Sequence, residues 1–157
     1  TKFVDDRWMR ENGFLEADWA IGTIGDILRA LPPKHLITIE LSESVGQAIR
    51  TFKERGISQL PVVDNGRLAG ILTETDVLHV VVDGRASSET AIAEVMQRKV
   101  STVSLHTSAS ELPTIFDRGE VAIVVDAEQH VHGLLTKVDL IDFLTHTPAN
   151  DAPLRVR

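Results

Sequence analysis

The sequence predicts an α/β fold: two tandem strand-helix-strand-strand-helix repeats packed sheet to sheet as a pseudo-two-fold pair. Three observations predict it. The phrase GILTETDVL at residues 70–78 returns as GLLTKVDLI at residues 133–141. Around it, Thr38 falls on Thr102, Leu41 on Leu105, Ser44 on Ser108, Gly56 on Gly119, Asp64 on Asp126, Gly70 on Gly133 and Asp76 on Asp139, the offset wavering only between 62 and 64. Within each copy, apolar residues at helical spacing alternate with short apolar runs bounded by turn residues, the pattern of a duplicated supersecondary unit. A unit of about 45 residues is marginal for burying a core alone, so the two copies are expected to stabilise one another.

The elements follow in order. Ile24 to Ala30 reads as one or two helical turns, ended by Leu31-Pro32-Pro33 because proline cannot continue a helix. Ile37 to Glu40 is an extended lead-in. Ser44 with Gln47 three places on is a capping-box start, and Val45, Ala48, Ile49 and Phe52 then fall on one helical face. Gly56 stops that helix, since glycine takes the left-handed C-terminal conformation without a Cβ penalty. Leu60 to Val63 and Leu68 to Leu72 read as strands joined through Asn65-Gly66, a hairpin signal, and Asp76 to Val82 resumes helical spacing.

The second copy repeats the order. Ala91 to Met96 stands where Ile24 to Ala30 stood, Thr102 to Ser104 is extended, and Ser108 with Glu111 is another capping-box start. Pro113 removes an interior backbone donor, which predicts a shortened or distorted first turn. Gly119 stops the helix, Val121 to Val125 forms a strand, Asp126 to His130 makes a longer connection, and Val138 to Leu144 closes the repeat. The organisation is a linker over 1–22, a first repeat over 23–84, a second over 85–146, and a tail over 147–157 whose Pro, Asn and Asp without periodicity predict fraying.

Composition narrows the function. Of 157 residues, 43% are hydrophobic and 25% charged, which is ordinary for a soluble globular chain. No apolar run approaches the roughly 20 residues needed to span a bilayer. The net charge is −7, with 16 basic residues against 23 acidic, and the basic ones form no stripe, so neither a nucleic acid nor a membrane is an expected partner. There is no cysteine and no secretory signal, so no disulfide or thiolate metal site is expected and a cytoplasmic location is. The opening TKFVDDRWMRENGFLE reads as the interior of a longer protein, with Trp8 and Trp19 placed to pack that segment.

The chemistry lies in the repeated phrase. Asp76 and Asp139 offer carboxylates that can accept both hydroxyls of a ribose, as the acidic residue of dinucleotide folds does. Thr73 and Thr136, at the junction of strand and helix, put a hydroxyl among the unsatisfied N–H groups of a helix start, which suit a phosphate. The same Thr-x-x-Asp spacing is also a helix cap, with Thr as cap and Asp favoured by the helix dipole. Both readings stay open on the residues alone. His130 and His132 alternate on a predicted strand and so share a face, but no third metal ligand is evident, and packed or solvated histidines are the expectation. His35, His79, His106 and His146 are isolated. No nucleophile-base pair, phosphate loop or metal cluster is apparent, so no catalytic residue is assigned.

The run GISQLPVVDNGRLAGILTETDVL, with its PVVD and Gly-apolar-apolar-Thr-x-x-Asp phrases in tandem, resembles the cystathionine β-synthase (CBS) domain, over about residues 24 to 145. The segment TKFVDDRWMRENGFL is similar to the stretch that follows the pyridoxal-phosphate catalytic domain in enzymes of the cystathionine β-synthase type. The resemblance implies an adenosyl-ligand-sensing regulatory pair, itself not an enzyme and holding no cofactor, attached to a pyridoxal-phosphate (PLP) lyase domain and associating as a homodimer. Carried over by position, one cleft would draw on Ile57, Ser58, Gln59 and Leu60 with Leu134, Thr136, Val138 and Asp139. The other would draw on Ile71, Thr73, Thr75 and Asp76 with Glu120, Val121 and Ala122. In the animal enzymes that respond to S-adenosylmethionine the position matching Ser58 is acidic; its neutrality here leaves AMP, ADP or ATP open beside S-adenosylmethionine, while Glu120 would favour a cationic ligand. Two other readings are an interaction module that binds no ligand and a stand-alone nucleotide-binding pair.

Overall fold

The computed structural model describes residues 22–33 and 35–145. The expected linker up to residue 21, with Trp8 and Trp19, lies outside the described residues, as do His146 and the expected frayed tail over 147–157. The chain forms two compact units. The first comprises His35–Val100 and Val125–His132; the second holds the described residues up to 33, Ser101–Val124, and those from Gly133 onward. Each contains mixed α/β structure, as the duplicated pattern predicts.

Helix α1, Ile24–Ala30, begins at a full capping box: Asp26 N–H donates to Thr23 Oγ1 at 3.2 Å and Thr23 N–H donates to the Asp26 carboxylate at 2.9 Å. The Thr23 backbone donor, helped by its hydroxyl and by the Arg29 guanidinium, holds the Asp26 carboxyl below its ordinary 3.8. A carboxylate depressed in the folded state stabilises the fold above its unfolded pKa, and that contribution disappears as pH falls through the folded value. Asp26→Asn should therefore flatten the loss of stability below about pH 4, as read by urea denaturation across a pH series. An acid limb identical to that of the parent chain would refute the assignment.

In the first unit, strand β1 is Ile39–Glu40 and helix α2 is Val45–Arg55. Ser44 caps α2 by accepting the Gln47 N–H at 3.1 Å, though Gln47 turns its side chain to Arg50 instead of closing the box. Gly56 ends α2 at φ 63°, ψ 35°, the left-handed conformation expected of it. Strands β2, Gln59–Asp64, and β3, Arg67–Thr73, form a hairpin whose turn residues Asn65 and Gly66 both have positive φ, the geometry that matches strand twist. A bulge lies between Val62 and Val63. Strand β1 pairs parallel to β2, giving the order β1-β2-β3. Helix α3, Glu74–Val82, follows β3 directly.

The core of this unit gathers Ile39, Val45, Ala48, Phe52, Leu60, Val62, Leu72 and Val77, and is completed by Ile92 and Met96 from the 3₁₀ turn Ile92–Glu94 and its exit. That segment is held by backbone bonds: Val45 N–H to Thr90 O, Gly46 N–H to Ser88 O, and a reciprocal pair between Ile71 and Gln97, all at 2.8 Å. Pro61, Val63 and Ile71, on the other face of the sheet, are buried too, which is why β2 reads as a continuous apolar run and not as an alternation.

In the second repeat β4, Ser101–Val103, pairs parallel to β5, Ala122–Val125, and β6, Val131–Leu135, completes the order β4-β5-β6. The helix between β4 and β5 is divided into a 3₁₀ turn, Ala109–Glu111, and a short helix α4, Leu112–Asp117. Pro113 sits in the first turn of α4, where its missing N–H costs least, so the helix restarts there. Helix α5 is Lys137–Thr145. The core gathers Ile24 and Ile27 of α1 with Val103, Ala109, Leu112, Ile115, Phe116, Ala122, Val124, Leu135 and Leu140. Backbone bonds from Ile24 N–H to Thr107 O and from Gly25 N–H to Leu105 O, at 2.8 and 2.9 Å, hold α1 there. The segment leading each repeat is thus housed with the core of the other.

Candidate functional site

The repeated phrase is placed alike in both units: threonine where a strand gives way to a helix, aspartate in the first turn of that helix. In the first unit Asp76 N–H donates to Thr73 Oγ1 at 3.1 Å and Thr73 N–H donates to Asp76 Oδ2 at 3.0 Å, a complete capping box. The Gln97 side-chain amide donates to Asp76 Oδ1 and Oδ2, at 2.9 and 3.0 Å. Gln97 had no local sequence signal. It reaches Asp76 because its backbone pairs with Ile71, which brings residues 21 positions apart together.

The second unit arranges the same residue types differently. Thr136 N–H donates to Asp139 Oδ2 at 2.8 Å, and the Thr136 hydroxyl donates to the same oxygen at 3.1 Å. Here the hydroxyl proton is spent on the carboxylate, whereas Thr73 accepts with its hydroxyl oxygen. The two phrases therefore present different hydrogen-bonding edges despite their common spelling. Thr23-Ile24-Gly25-Asp26 is a third Thr-x-x-Asp, likewise a capping box. The spacing alone is thus sufficient for a cap and does not by itself identify a ligand site.

The other predicted residues fall into place unit by unit. In the first, Gln59 lies opposite Thr73 across the hairpin, and Glu74 N–H donates to Ser58 O at 3.0 Å, so Ile57, Ser58, Gln59 and Leu60 run beside the start of α3. Leu60 and Ile71 are buried, Ile57 and Gln59 half-buried, and Ser58 and Thr75 exposed. Gln59 Oε1 is buried and accepts no hydrogen bond from the described residues, a costly state for an amide oxygen. In the second unit Glu120, Val121 and Ala122 lead into β5 while Leu134, Thr136, Val138 and Asp139 span the end of β6 and the start of α5. Glu120 is not an isolated charge: Arg118 Nε donates to it at 3.2 Å, and Ser101 bonds both Glu120 and Arg118. Arg118 therefore compensates the negative charge that Glu120 offers.

Several large apolar side chains remain exposed on the two repeat-closing helices. On α3 they are Leu78, Val81 and Val82, at one helical face, and on α5 they are Val138 and Ile141. Among the described residues no helix is long and apolar enough to cross a membrane.

Comparison with known proteins agrees with this architecture. The family model described as the CBS domain matches residues 24–83 and 92–146. Cystathionine beta-synthase of Oryctolagus cuniculus is 24% identical over 165 residues, covering 92% of this chain and 29% of that protein. The chain thus spans under a third of the length of this curated relative. Among solved structures, a putative signal-transduction protein with CBS domains from Burkholderia ambifaria is 30% identical, with a TM-score of 0.68 over 80% of this chain and 96% of that one. The CBS domain pair of protein MJ0100, solved in complex with 5′-methylthioadenosine and S-adenosyl-L-methionine, is 25% identical, with a TM-score of 0.65 over 78% of this chain and 95% of that one.

Proposed function

The chain belongs to the CBS-domain family, with two copies of the domain in tandem, and from that premise we propose that it senses an adenosine-containing metabolite and regulates an attached PLP-dependent lyase of the cystathionine β-synthase type in the cytoplasm. The observation that carries the reading is the Thr136–Asp139 pair at a strand-to-helix junction, in a fold whose 25% identical relative is described with two adenosyl ligands. Asp139 would receive the ribose hydroxyls, and Thr136 would fix the carboxylate. Attachment to a lyase is supported by the similarity to the Oryctolagus enzyme, which covers 92% of the chain and so extends beyond the two matched domains.

Regulation would be a population shift. A ligand favours one arrangement of the module, and so one docking on the catalytic domain, by no more than its differential affinity for the two states. The neutral Ser58 and the Arg118-compensated Glu120 provide no strong anionic partner for the methionine ammonium of S-adenosylmethionine, so AMP, ADP and ATP belong in the same test. A second reading, a dimerisation module that binds no ligand, is favoured by the exposed apolar faces of α3 and α5, which suit a second copy. Calorimetric titration of the chain with S-adenosylmethionine, AMP, ADP and ATP separates the two. At least one should bind with a dissociation constant below about 1 mM; a dimer that binds none of the four would replace the sensor reading with the scaffold.

A further inference from the structure

The turn between β5 and β6 carries Asp126-Ala127-Glu128-Gln129-His130-Val131-His132, all within the first unit. Asp126 Oδ1 accepts the backbone N–H groups of Glu128 and His130, each at 2.9 Å, which fixes the side chain and leaves Oδ2 turned toward the imidazoles. His132 Nε2 lies 2.8 Å and His130 Nδ1 3.5 Å from that oxygen. Glu128 joins Asp126 and His130: ligand atoms of these three all fall within 4.8 Å of one another, while His132 adjoins the trio through Asp126. The third ligand that the alternation of His130 and His132 left undefined is thus supplied by the turn that precedes them.

The cluster is held by its surroundings. Gln129, at φ 70°, turns the chain, and its carbonyl accepts Leu68 N–H at 2.8 Å. His130 bridges Arg67 through the backbone, and its ring lies so near the first hairpin that a Cβ on Gly66 would be 3.4 Å from His130 Cδ2. The rings are about half exposed, with side-chain accessibilities of 51% for His130 and 45% for His132, so an ion can reach them.

We propose that Asp126, Glu128, His130 and His132 form a binding site for a divalent transition metal of the zinc class. With zinc-ligand bonds of about 2.0–2.1 Å, ligand atoms at tetrahedral corners stand about 3.4 Å apart. The Asp126–His130 separation already matches, while His132, outside the mutually close trio, must move off Asp126 by roughly half an ångström and swing toward the other two ligands, which exposed side chains allow. Two neutral imidazoles with two carboxylates balance the charge of a divalent ion, and the nitrogen donors select zinc, nickel or copper over magnesium and calcium.

Calorimetry of the chain with Zn²⁺ tests this. One ion should bind per chain, Mg²⁺ and Ca²⁺ should give no competing signal, and the double variant His130→Ala/His132→Ala should lose affinity at least about a hundredfold with the circular-dichroism spectrum in EDTA unchanged. Imidazole ring-nitrogen resonances of the unmodified chain provide a test independent of any variant: zinc should shift those of His130 and His132. Absence of zinc binding, or zinc that shifts only His35, His79, His106 or His146, would overturn the proposal.

Discussion

Replacing Gly70 with alanine should destabilise the chain by about 3 kcal/mol, whereas the matching change Gly133→Ala should cost less than about 1 kcal/mol. The glycines hold equivalent places in the repeated phrase, but their neighbours differ. A Cβ on Gly70 would land on the Gln97 carbonyl oxygen, with the Gln97 carbonyl carbon and Met96 Sδ each at 3.2 Å. That carbonyl accepts Ile71 N–H, and Gln97 N–H donates to Ile71 O, so moving it aside breaks a reciprocal backbone pair and draws Met96 out of the core. On Gly133 the nearest atom to a new Cβ is Leu28 Cδ2 at 3.4 Å, the end of a flexible side chain. Urea denaturation of the two variants reads the difference directly. Equal losses would mean that the approach of Gln97 is not what demands glycine.

Asp139→Ala should weaken adenosine-ligand binding at least about a hundredfold, because charge-assisted bonds to two ribose hydroxyls contribute about 3 kcal/mol together. Asp76→Ala should change affinity by less than about threefold yet lower stability by about 1–2 kcal/mol. The Gln97 amide already donates to both Asp76 oxygens, and a ribose at Asp76 would have to displace it. Asp76 thus stabilises the start of α3 and ties the segment leading the second repeat to the first unit. Calorimetry and chemical denaturation on both variants decide the matter. If Asp139→Ala unfolds the chain, or binds as the parent does, that carboxylate is a cap and the sensing reading loses its central residue.

Much of each repeat was legible because local chemistry agrees with the fold. Ser44, Gly56 and Asn65-Gly66 each specify a cap or a turn without help from distant residues, and each does so in the structure. Pro113 foretold the distortion at α4, although a 3₁₀ turn followed by a restarted helix is one of several ways to accommodate it. What was not legible depends on residues far apart in the chain. Nothing in the spacing of Ile24 and Ile27 says that they complete a core with Leu135 and Leu140, because apolar periodicity reports that a face is buried and not against what. The same holds for Gln97 on Asp76. His130 and His132 suggested a pair, but Asp126 read as a turn residue, and only the folded turn shows its two oxygens doing separate work.

The housing of α1 with the second core has a consequence for the order in which the protein can fold during synthesis. Ile24 and Ile27 are among the first described residues to leave the ribosome, and their partners Leu135 and Leu140 are among the last. The first unit can gather most of its core from contiguous chain, closing once Met96 has emerged. The second must join ends more than 100 residues apart, and such long-range closure slows folding. Until translation reaches α5, the apolar face of α1 has no completed core to cover it, so Ile24 and Ile27 stay uncovered while the residues between α1 and α5 are being made.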